Sequence, residues 1–172
     1  MVESDQRATG LNAYPDYQGS FGFDAEWKNL FLTAQFNYAT GVDRYDFDYS
    51  GFMDPTAIGQ FRHSRDILAA WQQPGDITNV PSLTATNLDD DSLSDRHLRE
   101  ADYLRLRFIQ LGYNLPQSIL DKVGFSYIRA FVGGENLLTF TKWKGLDAEG
   151  TGSAQAGYPT PKTFSIGLEF GF

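Results

Sequence analysis

The last ten residues constrain this chain more than any other stretch. Phe164, Ile166, Leu168, Phe170 and Phe172 alternate with Thr163, Ser165, Gly167, Glu169 and Gly171. A β-strand sends successive side chains to opposite faces, so five large apolar groups share one face and small or polar groups the other. Such a strand, left with an unpaired edge, would be an aggregation hazard in a soluble protein. The pattern therefore asks for an apolar environment on one side and a neighbouring strand along its edge.

Upstream runs repeat the pattern. Phe21, Phe23, Ala25 and Trp27 alternate with Gly22, Asp24, Glu26 and Lys28, and Leu30, Leu32, Ala34, Phe36 and Tyr38 with Phe31, Thr33, Gln35, Asn37 and Ala39. The two runs meet at Lys28-Asn29, which reads as a tight hairpin turn. Phe31 breaks the second phase beside that turn, where an aromatic ring suits a membrane interface; Trp27 is expected in the same girdle. A further run places Leu104 and Leu106 on one face, then slips to Ile109, Leu111 and Tyr113, and a β-bulge near Arg107-Phe108 reconciles its halves. Ile128, Ala130 and Val132 begin another, whose facing is left open after Gly133-Gly134 and Leu137-Leu138. The expected strands thus cover about 17–27, 30–44, 101–115, 126–141 and 162–172.

The connections alternate between short and long. Lys28-Asn29 is short, and Pro116 to Gly124 reads as one or two helical turns, with proline at the start and glycine at the end. The stretches of about 45–100 and 143–161 are long, polar and aperiodic. Within the first, Ser64 is placed to cap a short helix through Trp71, stopped by Pro74-Gly75. Outer-membrane barrels show this asymmetry, with short periplasmic turns and long extracellular loops. Five crossings ending on the periplasmic side begin outside, and the aperiodic opening Met1 to Gln18 fits an extracellular loop.

Composition agrees and excludes other classes. Aromatic residues make up 15% of the chain, with 14 Phe and 9 Tyr, beside 17 Gly, which suits many strands joined by turns. A net charge of −8 argues against nucleic acid, whose phosphates call for a basic surface. No cysteine is present, so disulfides and thiolate chemistry are absent. No run of 18 apolar residues suggests a membrane helix, and the N-terminus has no apolar leader core, so a membrane-barrel reading makes the chain part of a longer one. The competing all-β reading is a soluble antiparallel sandwich, acting as a glycan-binding module. Against it stands the loop of nearly sixty residues, far beyond the ordinary spacing of sandwich strands.

The terminal pattern Ser165, Gly167, Phe170, Phe172 resembles the C-terminal signal that the barrel-assembly machinery reads on an open strand edge. More specific resemblances run along the chain. Asp102-Tyr103-Leu104-Arg105-Leu106-Arg107, after the Arg-containing lead Ser94 to Ala101, looks like the Y-L-R-L-(K/R) strand entry of the SusC/RagA family of TonB-dependent importers. Ile109-Gln110-Leu111-Gly112-Tyr113-Asn114-Leu115-Pro116 matches its L-x-L-G-Y-x-L-P continuation. Asn136-Leu137-Leu138-Thr139-Phe140-Thr141 is similar to its N-L-x-T-F-T ending. Gly157-Tyr158-Pro159-Thr160-Pro161-Lys162-Thr163-Phe164-Ser165-Ile166-Gly167-Leu168 resembles its Y-P-x-P-(K/R)-T-F-S-x-G-L terminus. Weaker echoes lie in Tyr14 to Tyr17 and Trp71 to Pro81.

The resemblance implies that residues 1–172 are the C-terminal part of a plugged outer-membrane barrel of about 22 strands. It implies import of oligosaccharides or peptides in a Gram-negative bacterium of the Bacteroidota. A SusD-like surface lipoprotein would be the partner, and energy would come from TonB through an N-terminal region lying outside this chain. No cofactor is implied.

Trp71, Trp143 and Tyr158, in the long loops, are the candidate substrate contacts; packing within the loop is the commoner use of such rings. His63 and His97 read as solvated residues rather than a metal or catalytic pair. Asp89-Asp90-Asp91 with Asp95 lacks the spacing of a calcium loop and reads as a solvated acidic run. Arg105 and Arg107 lie on the polar face of their strand, facing the lumen, where wall or plug carboxylates are the expected partners. No nucleophile elbow, phosphate loop or metal motif appears, so no enzymatic activity is expected.

Overall fold

The computed structural model describes residues 7–85, 95–150 and 158–172. Seven strands follow in chain order: β1 Tyr17–Trp27, β2 Leu30–Thr40, β3 Asp43–Tyr45, β4 Leu98–Glu100, β5 Tyr103–Asn114, β6 Tyr127–Thr141 and β7 Thr163–Gly171. The five long ones form a single antiparallel sheet in the order β1-β2-β5-β6-β7. Because β3 and β4 pair only with each other, every long strand neighbours the next long strand in sequence. Among the described residues no second sheet packs across this one, so the sandwich alternative fails.

Register explains why one face is apolar from edge to edge. Phe23, Ala34 and Ile109 lie in one row, Ala25, Leu32, Leu111, Val132 and Ile166 in the next, and Leu30, Tyr113, Ala130 and Leu168 beyond them. The phase slip in β5 falls where the sequence pattern puts it. Leu106 pairs with Phe36 and Phe108 with Gln35, leaving Arg107 as the extra residue. On the other side Leu106 pairs with Leu138 and Phe108 with Glu135, and Asn136 takes a left-handed conformation at φ 54°. This paired irregularity settles the facing of β6: Leu138 and Phe140 rejoin the apolar face opposite Leu106 and Leu104.

That apolar face is open. Phe164 is 76% exposed, Ile166 84% and Leu168 63%. Leaving side chains of this size in water forgoes about 1.5–3 kcal/mol each, a cost that lipid contact removes.

The opposite face of β7 carries Ser165, Gly167 and Glu169, and it is filled by aromatic rings lying over glycines. Phe31 pairs with Gly112, Phe131 with Gly167 and Tyr127 with Gly171. A Cβ at any of these glycines would run into the facing ring. Phe31 is therefore not an interface residue. It is buried on the polar face, beneath the Arg129 guanidinium at 4.7 Å, because Gly112 leaves a hollow its ring can fill. Arg129 also donates to Asn114 Oδ1 at 2.9 Å and faces Glu169 at 3.7 Å.

At the short-connection end, Lys28 turns the β1–β2 hairpin at φ 56°, with its ammonium over the exposed Trp27 ring. The β5–β6 connection forms helix α2, Gln117–Val123; it is numbered after α1, Phe47–Phe52, in the first long loop. Gly124 closes α2 in the left-handed conformation. At the other end the expected strand 30–44 is corrected. It stops at Thr40, Gly41 turns at φ 72°, and a Cβ there would strike the Asp16 carboxylate. The chain then re-enters as β3, paired with β4 in a separate ribbon. The first long loop has its own small core of Tyr49, Met53, Ile67, Ala70 and Val80. Ser64 caps Asp66 as expected, but the element it starts is a 3-10 turn over Arg65–Ala69 that ends before Trp71.

Candidate functional site

The two long loops meet over the polar face at the β3–β4 end, and their contacts are dense. Arg105, on β5 and 4% exposed, pairs with Asp147 Oδ1 at 2.5 Å and Glu149 Oε2 at 2.7 Å. Arg107, two residues on and so on the same face, reaches Glu149 Oε1 at 2.5 Å and Asn136 Oδ1 at 3.0 Å. The Thr160 hydroxyl donates to Asp147 as well. The arginines do lie on the polar face, but the carboxylates they hold in this segment come from the second loop rather than from the wall.

The first loop grips the same stretch from the other side. Arg44 donates from Nη1 to the carbonyls of Ala148 and Gly150, each at 2.9 Å. Asp46, fully buried, caps α1 by accepting from the Tyr49 amide and also accepts from the Gly145 amide at 2.9 Å. Asp48 accepts from the Leu146 amide, and Lys144 pairs with Asp66 at 2.8 Å. Asp66 in turn accepts from the Tyr49 hydroxyl, whose ring lies between the Lys144 and Arg99 cations.

The electrostatics follow from this geometry. Burial pushes the Asp46 carboxyl above its ordinary range, although two backbone amides and Arg99 oppose the shift. Burial also works on Asp147. There the hydrogen bonds from Arg105, Thr160 and the Glu149 amide prevail and hold it below the usual carboxylate value. The hydrogen bond between Lys144 and Asp66 raises the lysine and lowers the acid.

Between this block and the chain leading into β1 lies a cavity of about 740 Å³, within the range of small-ligand sites. Tyr14, Tyr45, Phe47, Trp143 and Tyr158 supply rings to it, with Asp43 and Asp48 among its polar groups. Two of the three candidate contacts come together here. Trp143 packs one side against Ala39, Val42 and Ala101 and lines the cavity with the rest, while Tyr158 stands almost fully exposed at its margin. Trp71 does not join them; its amide bonds to Val80 in the first loop, away from the cavity.

The other sequence candidates sort as follows. His97 is not solvated: it is buried, edge-on to Tyr45 and Tyr49, because the turn Asp95–His97 just before β4 runs against α1. His63 is half-buried, its Nδ1 3.3 Å from the Phe52 carbonyl. Asp89, Asp90 and Asp91 lie outside the described residues, as do Ser94 and Gly157; among the described residues no metal-ligating cluster occurs. Phe170 pairs with Ile128 at the short-connection end, and the rings of Phe170 and Phe172 both pack against Phe125. Sequence reasoning missed Arg44, Asp46, Asp147 and Glu149, whose partners lie from about forty to a hundred residues away with no periodic relation. The run Asp43 to Asp48 carried a signal only in its unusual density of charge and aromatic rings.

No protein-family profile matches the chain. Among curated proteins, TonB-dependent receptor P39 of Formosa agariphila is 33% identical over 141 residues, covering 80% of this chain and 14% of the relative. TonB-dependent receptor P3 of the same bacterium is 29% identical over 171 residues, covering 92% of this chain and 16% of that protein. The chain thus spans about a sixth of the length of the curated relatives it matches. Among solved structures, the RagAB peptide transporter aligns at a TM-score of 0.79 and 29% identity, over 93% of this chain and 17% of that one. The RagAB peptide importer in its closed-closed state aligns at 0.78 and 28%, over 96% and 19%. A sheet apolar on one outer face, running up and down without crossover and aligned nearly end to end with these proteins, belongs to the SusC/RagA-like TonB-dependent receptors, as a segment of their outer-membrane β-barrel wall.

Proposed function

We propose that the whole protein imports oligosaccharides or peptides across the outer membrane, and that residues 1–172 form the C-terminal part of its barrel. The observation that carries this reading is the division of the sheet. One face is apolar and largely exposed, fit for lipid, and the other is polar, with two long loops folded over one end. In this reading the loop end is extracellular, the Lys28 turn and α2 are periplasmic, and the cavity holding Trp143 and Tyr158 meets substrate. Likeness to a peptide importer supports peptides as cargo, and the ring-lined cavity suits sugar faces equally well. The energy would come from TonB, acting on a region outside this chain, and the docking partner would be a SusD-like lipoprotein. The terminal strand, through Ser165, Gly167, Phe170 and Phe172, would be what the barrel-assembly machinery reads.

The test is made in the native bacterium with the full-length gene. Uptake of fluorescent peptide and oligosaccharide pools should be lost on deletion of the gene or of TonB. Uptake should fall at unchanged outer-membrane level in W143A and Y158A, and W71A should have little effect. A SusD-like lipoprotein should co-purify. Uptake indifferent to TonB, or a protein recovered in the soluble fraction, would contradict the proposal.

A further inference from the structure

We propose that Arg105 is a positioning residue: it clamps Lys144–Gly150 as a strut that joins the barrel wall to α1, tying the described parts of the two long loops into one rim and fixing the floor of the ring-lined cavity. The proposal rests on the import reading only for its last step, the link between the strut and substrate.

The bonds along the strut carry the inference. Lys144 is tied to Asp66, the Gly145 amide to Asp46, the Leu146 amide to Asp48, and Asp147 and Glu149 to Arg105; Arg44 holds the carbonyls of Ala148 and Gly150. Every residue from Lys144 to Gly150 is thus held by the wall or by the first loop. Three of the anchors, Asp46, Arg105 and the Ala148 side chain, are almost wholly buried. Burial matters because a charge pair shielded from water holds its geometry far better than an exposed one, and losing one partner strands the other.

The order of the contacts gives Arg105 its reach. It touches neither α1 nor any residue of the first loop in these bonds, yet the strut it holds supplies the Gly145 amide to Asp46, the cap of α1. A Cβ at Gly145 would strike both the Asp46 carboxylate and the Trp143 indole, so the strut, the cap and the cavity wall meet there without slack. Leu146, Asp147 and Gly150 line the cavity on their other side. A floor fixed before the ligand arrives avoids the ordering cost that a loose loop would add to binding.

Hydrogen exchange on the purified full-length protein in detergent tests the clamp without any ligand. R105Q and D147N should each raise exchange at least tenfold at the amides of 145–150 and also in α1, while β1 and the central part of β5 stay protected. Their double variant should add little to either, since both remove one clamp, and R105K, which keeps the charge, should restore most of the protection. Should R105Q fail to assemble, D147N, which lies in the loop rather than the wall, gives the same reading. Exchange that rises only at 147–150 with α1 unchanged, or does not rise at all, overturns the coupling. Half-saturation of peptide or oligosaccharide uptake, per inserted molecule, should rise in R105Q, whose side chain lies outside the cavity lining. Coupled exchange with unchanged half-saturation would overturn the cavity role alone. A protein that takes up neither pool leaves the exchange result standing and removes the import reading instead.

Discussion

Replacing Gly112 by alanine should destabilise the wall by about 1–3 kcal/mol, the usual cost of forcing atoms into a filled site. A Cβ at this position runs into the end of the Phe31 ring and comes within 2.8 Å of the Ala130 carbonyl. The carbonyl belongs to the ladder and cannot retreat, so the ring must. Its departure also gives up the contact with Arg129, worth about 0.5–1 kcal/mol where partly exposed. Phe31→Ala alone should cost about 3–5 kcal/mol, since the ring is buried. In that background the alanine at position 112 meets only the carbonyl, so its cost should fall to less than half. The double-mutant cycle should show a coupling of about 1 kcal/mol or more. Urea unfolding of the full-length protein in lipid vesicles, followed by tryptophan emission, measures all four species. Costs that add within about 0.5 kcal/mol would refute the claim that the Phe31 ring occupies the space above Gly112.

Ile109→Arg, in the middle row of the apolar face between Ala34 and Gly134, should cost about 2–4 kcal/mol at the depth of the bilayer centre and lower the inserted amount. Gln110→Arg, one residue away on the other face, should leave the inserted amount nearly unchanged. Phe172→Ser should reduce the amount of protein in the outer membrane while uptake per inserted molecule stays near normal, because Phe172 packs on Phe125 at the end far from the loops. Acid should release the strut through Asp147. Its folded value is depressed, so its contribution is present above the unfolded value of about 3.9 and lost as pH falls through the folded one. Asp46 has the opposite sign, since its raised value favours the protonated form and cannot drive acid release. Trp143 fluorescence in a variant lacking the other tryptophans should therefore be flat from neutral pH to about 5 and change below about 4, and D147N should remove that change.

The five long strands were legible because their period of two survives wherever one face meets an apolar medium. The bulge was legible for the same reason, as a slip from Leu106 to Ile109. Phe31 misled because alternation reports facing and not what the other face needs. Its ring answers the missing side chain of Gly112, a residue 81 positions later and visible only through register. The end of β2 was overrun because Val42 continues the even-numbered apolar beat of Leu30 to Tyr38, while the left-handed Gly41 redirects the chain into a second sheet. His97 looked solvated in a polar sequence, yet the β3–β4 ribbon folds it against Tyr45 and Tyr49. The strut could not be read at all, since its bonds join residues with no periodic relation, such as Asp46 and Gly145.

The facing of the sheet is the claim on which everything else depends, and spin labels placed singly along β7 and β5 test it directly. Residues 1–172 have no cysteine, so labels at 164–166, 168, 169 and 109–111 can be introduced one at a time in a full-length protein whose other cysteines are replaced. In lipid vesicles, oxygen should relax labels at Phe164, Ile166, Leu168, Ile109 and Leu111 most strongly. A water-soluble nickel complex should favour those at Ser165, Glu169 and Gln110. A two-residue alternation with this phase is the predicted result. Equal access of the nickel complex to both sets, or the opposite phase, would mean that the apolar face does not meet lipid and that this sheet is not the wall of an outer-membrane barrel.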